Sequence, residues 1–239
     1  MSQYDNGMEK TKKILTPRVI LQVFVIVVLM PLLPVLISRR WDWWEAWLYA
    51  LIAVAGFIIS RVLAGRRHPD LLRERGRMLA HADAQPWDKL LAPLVGLDGA
   101  LIPLFVGLET LFHNLMPFSA PVKIGGLVLI VSGYVMGTWA LMTNRFFSGM
   151  VRLQTDRGHT VVSDGPFRWV RHPGYVGALL TYLGTPFFLD SRWALLAVLF
   201  LTVALVVRTR LEDRFLQQQL AGYAEYAKKV KFRLLPGIW

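Results

Sequence analysis

The chain has no cysteine. Disulfides, thiolate nucleophiles and cysteine metal sites are therefore excluded. Charge is scarce as well. Asp, Glu, Lys and Arg make up 18% of the 239 residues, against about 25% in soluble domains. Acids are the rarer sign, 16 against 27 Lys and Arg, which leaves a net charge of +11. No glycine-rich loop of the kind that cradles a dinucleotide between strand and helix is present, and no internal repeat or low-complexity segment is visible. His68, His81, His113 and His159 show no metal-ligand spacing, so no metal site is expected.

What fills the space left by charge is apolar. Hydrophobic residues reach 54%, mean hydropathy is +0.42, and there are nine Trp. This composition points to lipid as the solvent and to an all-α, polytopic transmembrane helical bundle. The first run, Val19 to Ile37, is nineteen residues with one polar side chain, Gln22. At 1.5 Å per residue it extends roughly 28 Å, enough to cross a hydrocarbon core. Pro31 and Pro34 are expected to kink its end. Further spans are read at 44–63, 90–112 and 124–143. The last two form a short hairpin, 174–189 and 193–207. The total is about six. The third holds Pro93, Pro103, Asp98 and Glu109 and is expected to be irregular. The fourth carries Gly133-x-x-x-Gly137, a spacing that permits close helix packing. From Arg208 to Val230, apolar residues at Leu211, Phe215, Leu216, Leu220 and Tyr223 predict a C-terminal amphipathic helix. Two regions follow: 1–139, N-terminal helices with a polar loop, and 140–239, where the chemistry-bearing residues gather.

The basic residues follow membrane orientation rather than a nucleic-acid footprint, so no nucleic-acid partner is expected. Twenty-two of the 27 Lys and Arg lie in the N-terminus, the loop 64–89, the loop 144–173 and the tail. This bias places both termini and both long loops in the cytoplasm. Arg39-Arg40 is the discordant pair. The polar segment Met1 to Arg18 precedes a full-length span and lacks a small-residue cleavage site, which reads as an anchor.

The informative segment runs from Ser163 to Gly177 and contains Arg171-His172-Pro173-Gly174-Tyr175. Pro173 suits the first turn of a helix. Amides at Gly174 and Tyr175 would then attract an anion such as a carboxylate, and Gly174 and Gly177 would permit close approach of a ligand. Arg208-Thr209-Arg210-Leu211-Glu212-Asp213 begins where the last apolar run ends, and the hairpin returns these acids to the face that bears His172. Simpler readings accompany each residue. Arg168, Arg171 and Arg210 serve as inside-positive anchors, His172 caps the helix, and Glu212 pairs with Arg208 at i, i+4. Asp98 and Glu109 lie at span ends or a water cavity.

Arg171-His172-Pro173-x-Tyr175-x-Gly177, a hydrophobic hairpin, Glu212-Asp213, Tyr223-x-x-Tyr226 and a basic tail ending in Pro236 resemble the membrane methyltransferases. That family includes isoprenylcysteine carboxyl methyltransferase and the phospholipid N-methyltransferases. The resemblance covers about residues 140–239, and Asn144-Arg145-Phe146-Phe147-Ser148 is similar to the family's upstream segment. Asp213 stands where the family usually has a second Glu.

The resemblance implies S-adenosylmethionine as cofactor, held by Arg171, His172, Pro173, Tyr175, Gly177, Glu212 and Asp213 under the C-terminal helix. The acceptor it implies is lipidic or a small hydrophobic molecule, at the cytoplasmic face. Arg210, Glu212 and His172 are the expected catalytic residues: Arg210 to orient a carboxylate acceptor, His172 or Glu212 as base for an amine or thiol. Tyr175 or Trp169 would hold the sulfonium by cation–π contact. Two rival readings are an NADPH-dependent sterol-type reductase and a non-enzymatic membrane protein. The oligomeric state is left open.

Overall fold

A computed structural model describes residues 21, 23–76, 81–113 and 116–239. Expectations for Met1 to Arg18, for the start of the first apolar run, for Gln22 and for residues 77–80 of the loop 64–89 lie outside the described residues, as does the side chain of Asp98. The regular elements among the described residues are all helices, with no strand. We number the helices α1 Val25–Ser38, α2 Trp44–Arg67, α3 Pro69–Gly76, α4 Asp88–Gly96, α5 Asp98–Phe112, α6 Ala120–Thr143, α7 Pro173–Phe188, α8 Ala194–Gln219 and α9 Tyr223–Lys229.

Of the six spans expected, three described helices, α2, α6 and α8, are long and apolar enough to cross a membrane by length and composition. The number is four if the bent pair α4 and α5 is one span. The start of the first expected span lies outside the described residues, and local features interrupt the regular helix at other points. In α1 the turn Val25–Leu29 is π-wound just before Pro31. A proline lacks an N–H and its ring crowds the carbonyl four residues back, which a wider turn relieves. The expected third span breaks at Leu97, with a bend of 41° between α4 and α5. The helix α7 has only sixteen residues. The hairpin between α7 and α8 turns through Asp190, whose φ is +58°, and its carboxylate accepts from the Phe118 N–H at 2.8 Å. Buried Glu109, at the same end, accepts from the Ser191 hydroxyl at 2.5 Å and the Trp193 N–H at 2.9 Å. It is a turn anchor, which agrees with its simpler reading.

The expected amphipathic helix over 208–230 is corrected. Residues 194–219 form one unbroken helix, because no Gly or Pro interrupts the chain from Ala194 to Gln219. The break comes at Gly222, which sits at φ +81°, and only the seven-residue α9 follows. Arg208 and Asp213 are buried on this continuation.

The helices α6 and α7 meet backbone to backbone. A Cβ at Gly133 would lie 2.5 Å from the Gly177 carbonyl oxygen, and one at Gly177 would lie 2.7 Å from the Gly133 carbonyl oxygen and 2.8 Å from the Gly137 nitrogen. Gly126 and Gly184 make the same kind of contact one layer on, with a Cβ at Gly184 reaching 2.5 Å from the Gly126 carbonyl. The small-residue spacing in α6 is thus a packing seam.

Gly133→Val and Gly177→Val are each expected to cost about 1–3 kcal/mol through overpacking. Gly125→Ala, which would meet nothing within 4 Å, should leave the midpoint unchanged or raise it, by the equivalent of at most about 1 kcal/mol from helix propensity. Thermal unfolding of the detergent-solubilised variants checks the contrast.

Candidate functional site

The site is built at the end of the bundle where α7 begins and where α8 runs past the last apolar residues. Pro173 occupies the first turn of α7, with His172 as the residue before it. Two main-chain bonds fix this entry. The Arg171 N–H donates to the Phe232 carbonyl and the His172 N–H to the Arg233 carbonyl, both at 3.0 Å. The C-terminal strap therefore lies along the Arg-His-Pro segment.

Asp213 holds strap, helix and segment together. It is fully buried. Arg171 grips it with two N–H groups, Nε to Oδ1 at 2.7 Å and Nη2 to Oδ2 at 3.0 Å. Arg233 Nε and Gln217 Nε2 each donate to Oδ2 at 2.8 Å, and the Tyr223 hydroxyl donates to Oδ1 at 3.2 Å. Arg171 Nη1 also reaches the Val230 and Lys231 carbonyls at 2.7 and 3.0 Å. Burial of two opposite charges is tolerable when their donors and lone pairs are met; here both carboxylate oxygens accept at least two bonds and Arg171 makes four.

Glu212, the neighbouring acid, faces the other way. It accepts from the Tyr175 hydroxyl at 2.5 Å and lies 3.9 Å from His172 Nδ1. The His172 ring stacks on Tyr175, centroids 5.6 Å apart and planes within 6°. Its buried Nε2 lies 3.6 Å from Asp213 Oδ1 and has no hydrogen-bond partner among the described residues. The two halves of the expected constellation, 40 residues apart in sequence, are therefore side by side.

These groups border a cavity of about 350 Å³. Its wall includes Arg171, His172, Gly174, Tyr175, Glu212, Tyr223 and Tyr226, and from the loop 144–163 it takes Asn144, Phe147, Gln154, His159 and Val161. The loop is pinned from outside. Arg152 clasps Glu74 with two bonds at 2.9 and 3.0 Å and also holds Asp83 and Asp156. The Glu74 carboxylate raises the pKa of Arg152 above its ordinary range. Burial alone would raise Glu74, but Arg152 outweighs it and Glu74 titrates low. His159 is pushed down to about 4 by burial and by Arg157 and Arg152. Its Nδ1 accepts from the Gln154 N–H at 3.3 Å, which requires the unprotonated nitrogen.

Several expected residues stand elsewhere. Arg210 is exposed and outside the cavity wall. Pro173, Gly177 and Asp213 do not border this cavity: Pro173 starts the helix, Gly177 packs on α6, and Asp213 is occupied by its own protein partners. The Tyr175 amide is not free, since it donates to the His172 carbonyl at 3.0 Å. The space above Gly174 is taken by the Phe147 ring, which a Cβ there would meet at 2.3 Å. The cation against Tyr175 is Arg208, 5.5 Å from the ring centroid. Trp169 is exposed and packs edge-on against Trp139. Arg208 does not pair with Glu212. It binds fully buried Asp88, 120 residues away, at 2.7 and 3.1 Å, and Asp88 also accepts from the Val151 N–H at 2.6 Å. Sequence reading missed Asp88. Its only signal was an acid, one of four with Asp70, Glu74 and Asp83, in a polar loop that also carries six Lys and Arg.

Residues 126–218 match the model of the isoprenylcysteine carboxyl methyltransferase (ICMT) family, and the resemblance read from the sequence holds over that segment. A probable protein-S-isoprenylcysteine O-methyltransferase of Oryza sativa subsp. indica is 34% identical over 108 residues, 44% of this chain and 56% of that protein. The protein-S-isoprenylcysteine O-methyltransferase of Saccharomyces cerevisiae is 31% identical over 108 residues, 44% of this chain and 45% of that protein. A Delta(14)-sterol reductase of Mus musculus is 28% identical over 156 residues, 59% of this chain and 37% of that protein. The chain thus spans about half the length of the methyltransferases it matches.

Asp213→Ala should cost about 3–5 kcal/mol, because it strands two buried or half-buried arginines. Glu212→Gln should stay within about 1 kcal/mol, losing one hydrogen bond at a cavity wall. Denaturation midpoints separate the two acids. A second measurement follows from His159. Its folded pKa is depressed, so between its ordinary value of about 6.5 and about 4 the unfolded chain binds more protons. Stability contributed by the neutral ring is therefore present above pH 6.5 and lost as pH falls toward 4. The melting temperature of the wild type should fall over that window more steeply than that of His159→Asn.

Proposed function

We propose that this protein is an integral membrane methyltransferase that uses S-adenosylmethionine and methylates a lipidic acceptor. The observation that carries the reading is the cavity end at which His172, Tyr175 and Glu212 converge, within the segment that matches a methyltransferase family. The residues suit the cofactor. Glu212 offers a carboxylate to an ammonium or a ribose diol. His172 Nε2 is a buried polar atom still without a partner, and a cavity of about 350 Å³ is within the usual range for small-molecule sites. When bound, S-adenosylmethionine supplies an electrophilic methyl on a positively charged sulfur.

The chain's own contribution is positioning and exclusion of water. Asp213 and the strap fix the orientation of Arg171 and His172. Tyr175 holds the Glu212 carboxylate toward the cavity. A carboxylate acceptor needs no base. An amine or thiol acceptor would find its base in His172 or Glu212, both on the wall. The bias of basic residues assigns the site to the cytoplasmic face.

Isothermal titration of the purified protein tests the reading. S-adenosylmethionine should bind and NADPH should not, and Glu212→Ala should weaken the former at least tenfold. Binding of NADPH alone would overturn the proposal in favour of the reductase named among the relatives. Orientation is checked separately, aided by the absence of native cysteine. Single-cysteine variants Arg168→Cys and Arg192→Cys, both at exposed positions, should label from opposite sides, Arg168→Cys from the cytoplasm.

A further inference from the structure

A second cavity of about 230 Å³ lies between α2, α6 and α7, with Phe57, Arg61, Tyr134 and Leu141 on its wall and the Gly133 to Gly137 stretch as its floor. Arg75, Phe147, Gly174 and Ala178 border both cavities. The partition is thus two side chains laid over a bare glycine, not a layer of backbone.

The arginines of this groove are half-buried and differ from the buried ones. Arg152, Arg171 and Arg208 each grip a carboxylate with two N–H groups. Arg61 and Arg75 have no carboxylate partner among the described residues. Arg61 sits six residues before the end of α2, roughly 9 Å inside it, and rests on the Phe57 ring at 4.8 Å. Arg75 spends one N–H on the Phe147 carbonyl at 3.0 Å and lies 5.7 Å from the Phe147 ring centroid. Each guanidinium carries five donors, so most are unspent.

The two cations also oppose one another. Burial, Arg61 and Arg208 push the Arg75 pKa down to about 9. A charge within an apolar helix is costly and ordinarily marks a site. Arg61 is such a charge, and a second cation, Arg75 near the end of the polar helix α3, borders the same groove. Two mutually repelling charges on one groove are stabilised by an anion that bridges them. The groove beyond them, walled by Phe57, Tyr134 and Leu141, suits an apolar chain.

We propose that Arg61 and Arg75 form a clasp for the anionic head group of an amphiphile, which is the methyl acceptor, with its apolar chain lying in the groove between α2, α6 and α7. The clasp rests on the methyltransferase reading. It deepens it by assigning head-group recognition to a part of the chain outside the 126–218 match. Arg75, common to both cavities, places the head group at the partition, beside Phe147 and Gly174.

The test uses the full chain in phosphatidylcholine nanodiscs, with N-acetyl-S-farnesylcysteine and its primary amide as probes. The acid should bind at least tenfold more tightly than the amide, the difference expected for a charge-assisted pair. Arg61→Gln and Arg75→Gln should each bring the acid to within about threefold of the amide, and Arg61→Lys should keep part of the preference. The affinity of Arg61→Gln for S-adenosylmethionine, measured in parallel, should match that of the wild type. Equal binding of acid and amide to the wild type, or a preference surviving both glutamine variants, would overturn the clasp even where S-adenosylmethionine binds. Loss of S-adenosylmethionine binding by the wild type would instead overturn the parent reading. If phosphatidylglycerol in the nanodiscs weakens the acid tenfold, the clasp holds a resident bilayer lipid, and the acceptor assignment fails.

Discussion

The carboxylate of Asp213 is the point on which the site depends. Four protein groups bond to it from four stretches of chain: Arg171, Gln217, Tyr223 and Arg233. In water such contacts contribute little, because each charge exchanges one set of partners for another. In a buried pocket the same contacts become mutually obligatory, since removing one leaves the rest with unmet charge. The strap, the α7 entry and the C-terminal end of α8 therefore stand or fall together, and the cavity is the space they leave. The adjacent Glu212 can face that space because its neighbour has already satisfied the basic residues nearby.

A parallel arrangement supports the opposite wall. Asp88 binds Arg208 and the Val151 amide, tying α4, α8 and the 144–163 loop. Both acids are fully buried and both meet an arginine through two N–H groups. The difference between these saturated pairs and the unsaturated Arg61 and Arg75 distinguishes charge used for architecture from charge left available to a ligand.

Much of this was legible in the sequence, for physical reasons that differ by feature. The apolar runs at α2 and α6 could be read because period and length are local properties. The turn before Pro173 could be read because proline fixes its own φ and gives up its donor. The proximity of His172 to Glu212 and Asp213 followed from hairpin topology alone. What could not be read was direction. Glu212 and Asp213 are neighbours in sequence, yet a helix turns each residue by about 100°, so one faces the cavity and the other the strap. The same rotation places Arg208 inside and Arg210 outside. The helical extension of α8 past Val207 was missed because a change from apolar to charged composition resembles a boundary, whereas helix continuity depends on the absence of Gly and Pro. The partnership of Asp88 with Arg208, across 120 residues, has no local signature.

The seam between α6 and α7 has a geometric consequence. α7 has sixteen residues and α6 twenty-four, roughly 24 and 36 Å. Glycine contacts on both helices leave little room for one to slide along the other. In a bilayer whose apolar layer is about 30 Å thick, the shorter helix cannot reach both surfaces while the longer one does. His172, at its start, is then recessed below the plane of the lipid head groups, and the depth of that recess is set by membrane thickness. A hydrophobic molecule arriving within the leaflet would meet the site at its own level.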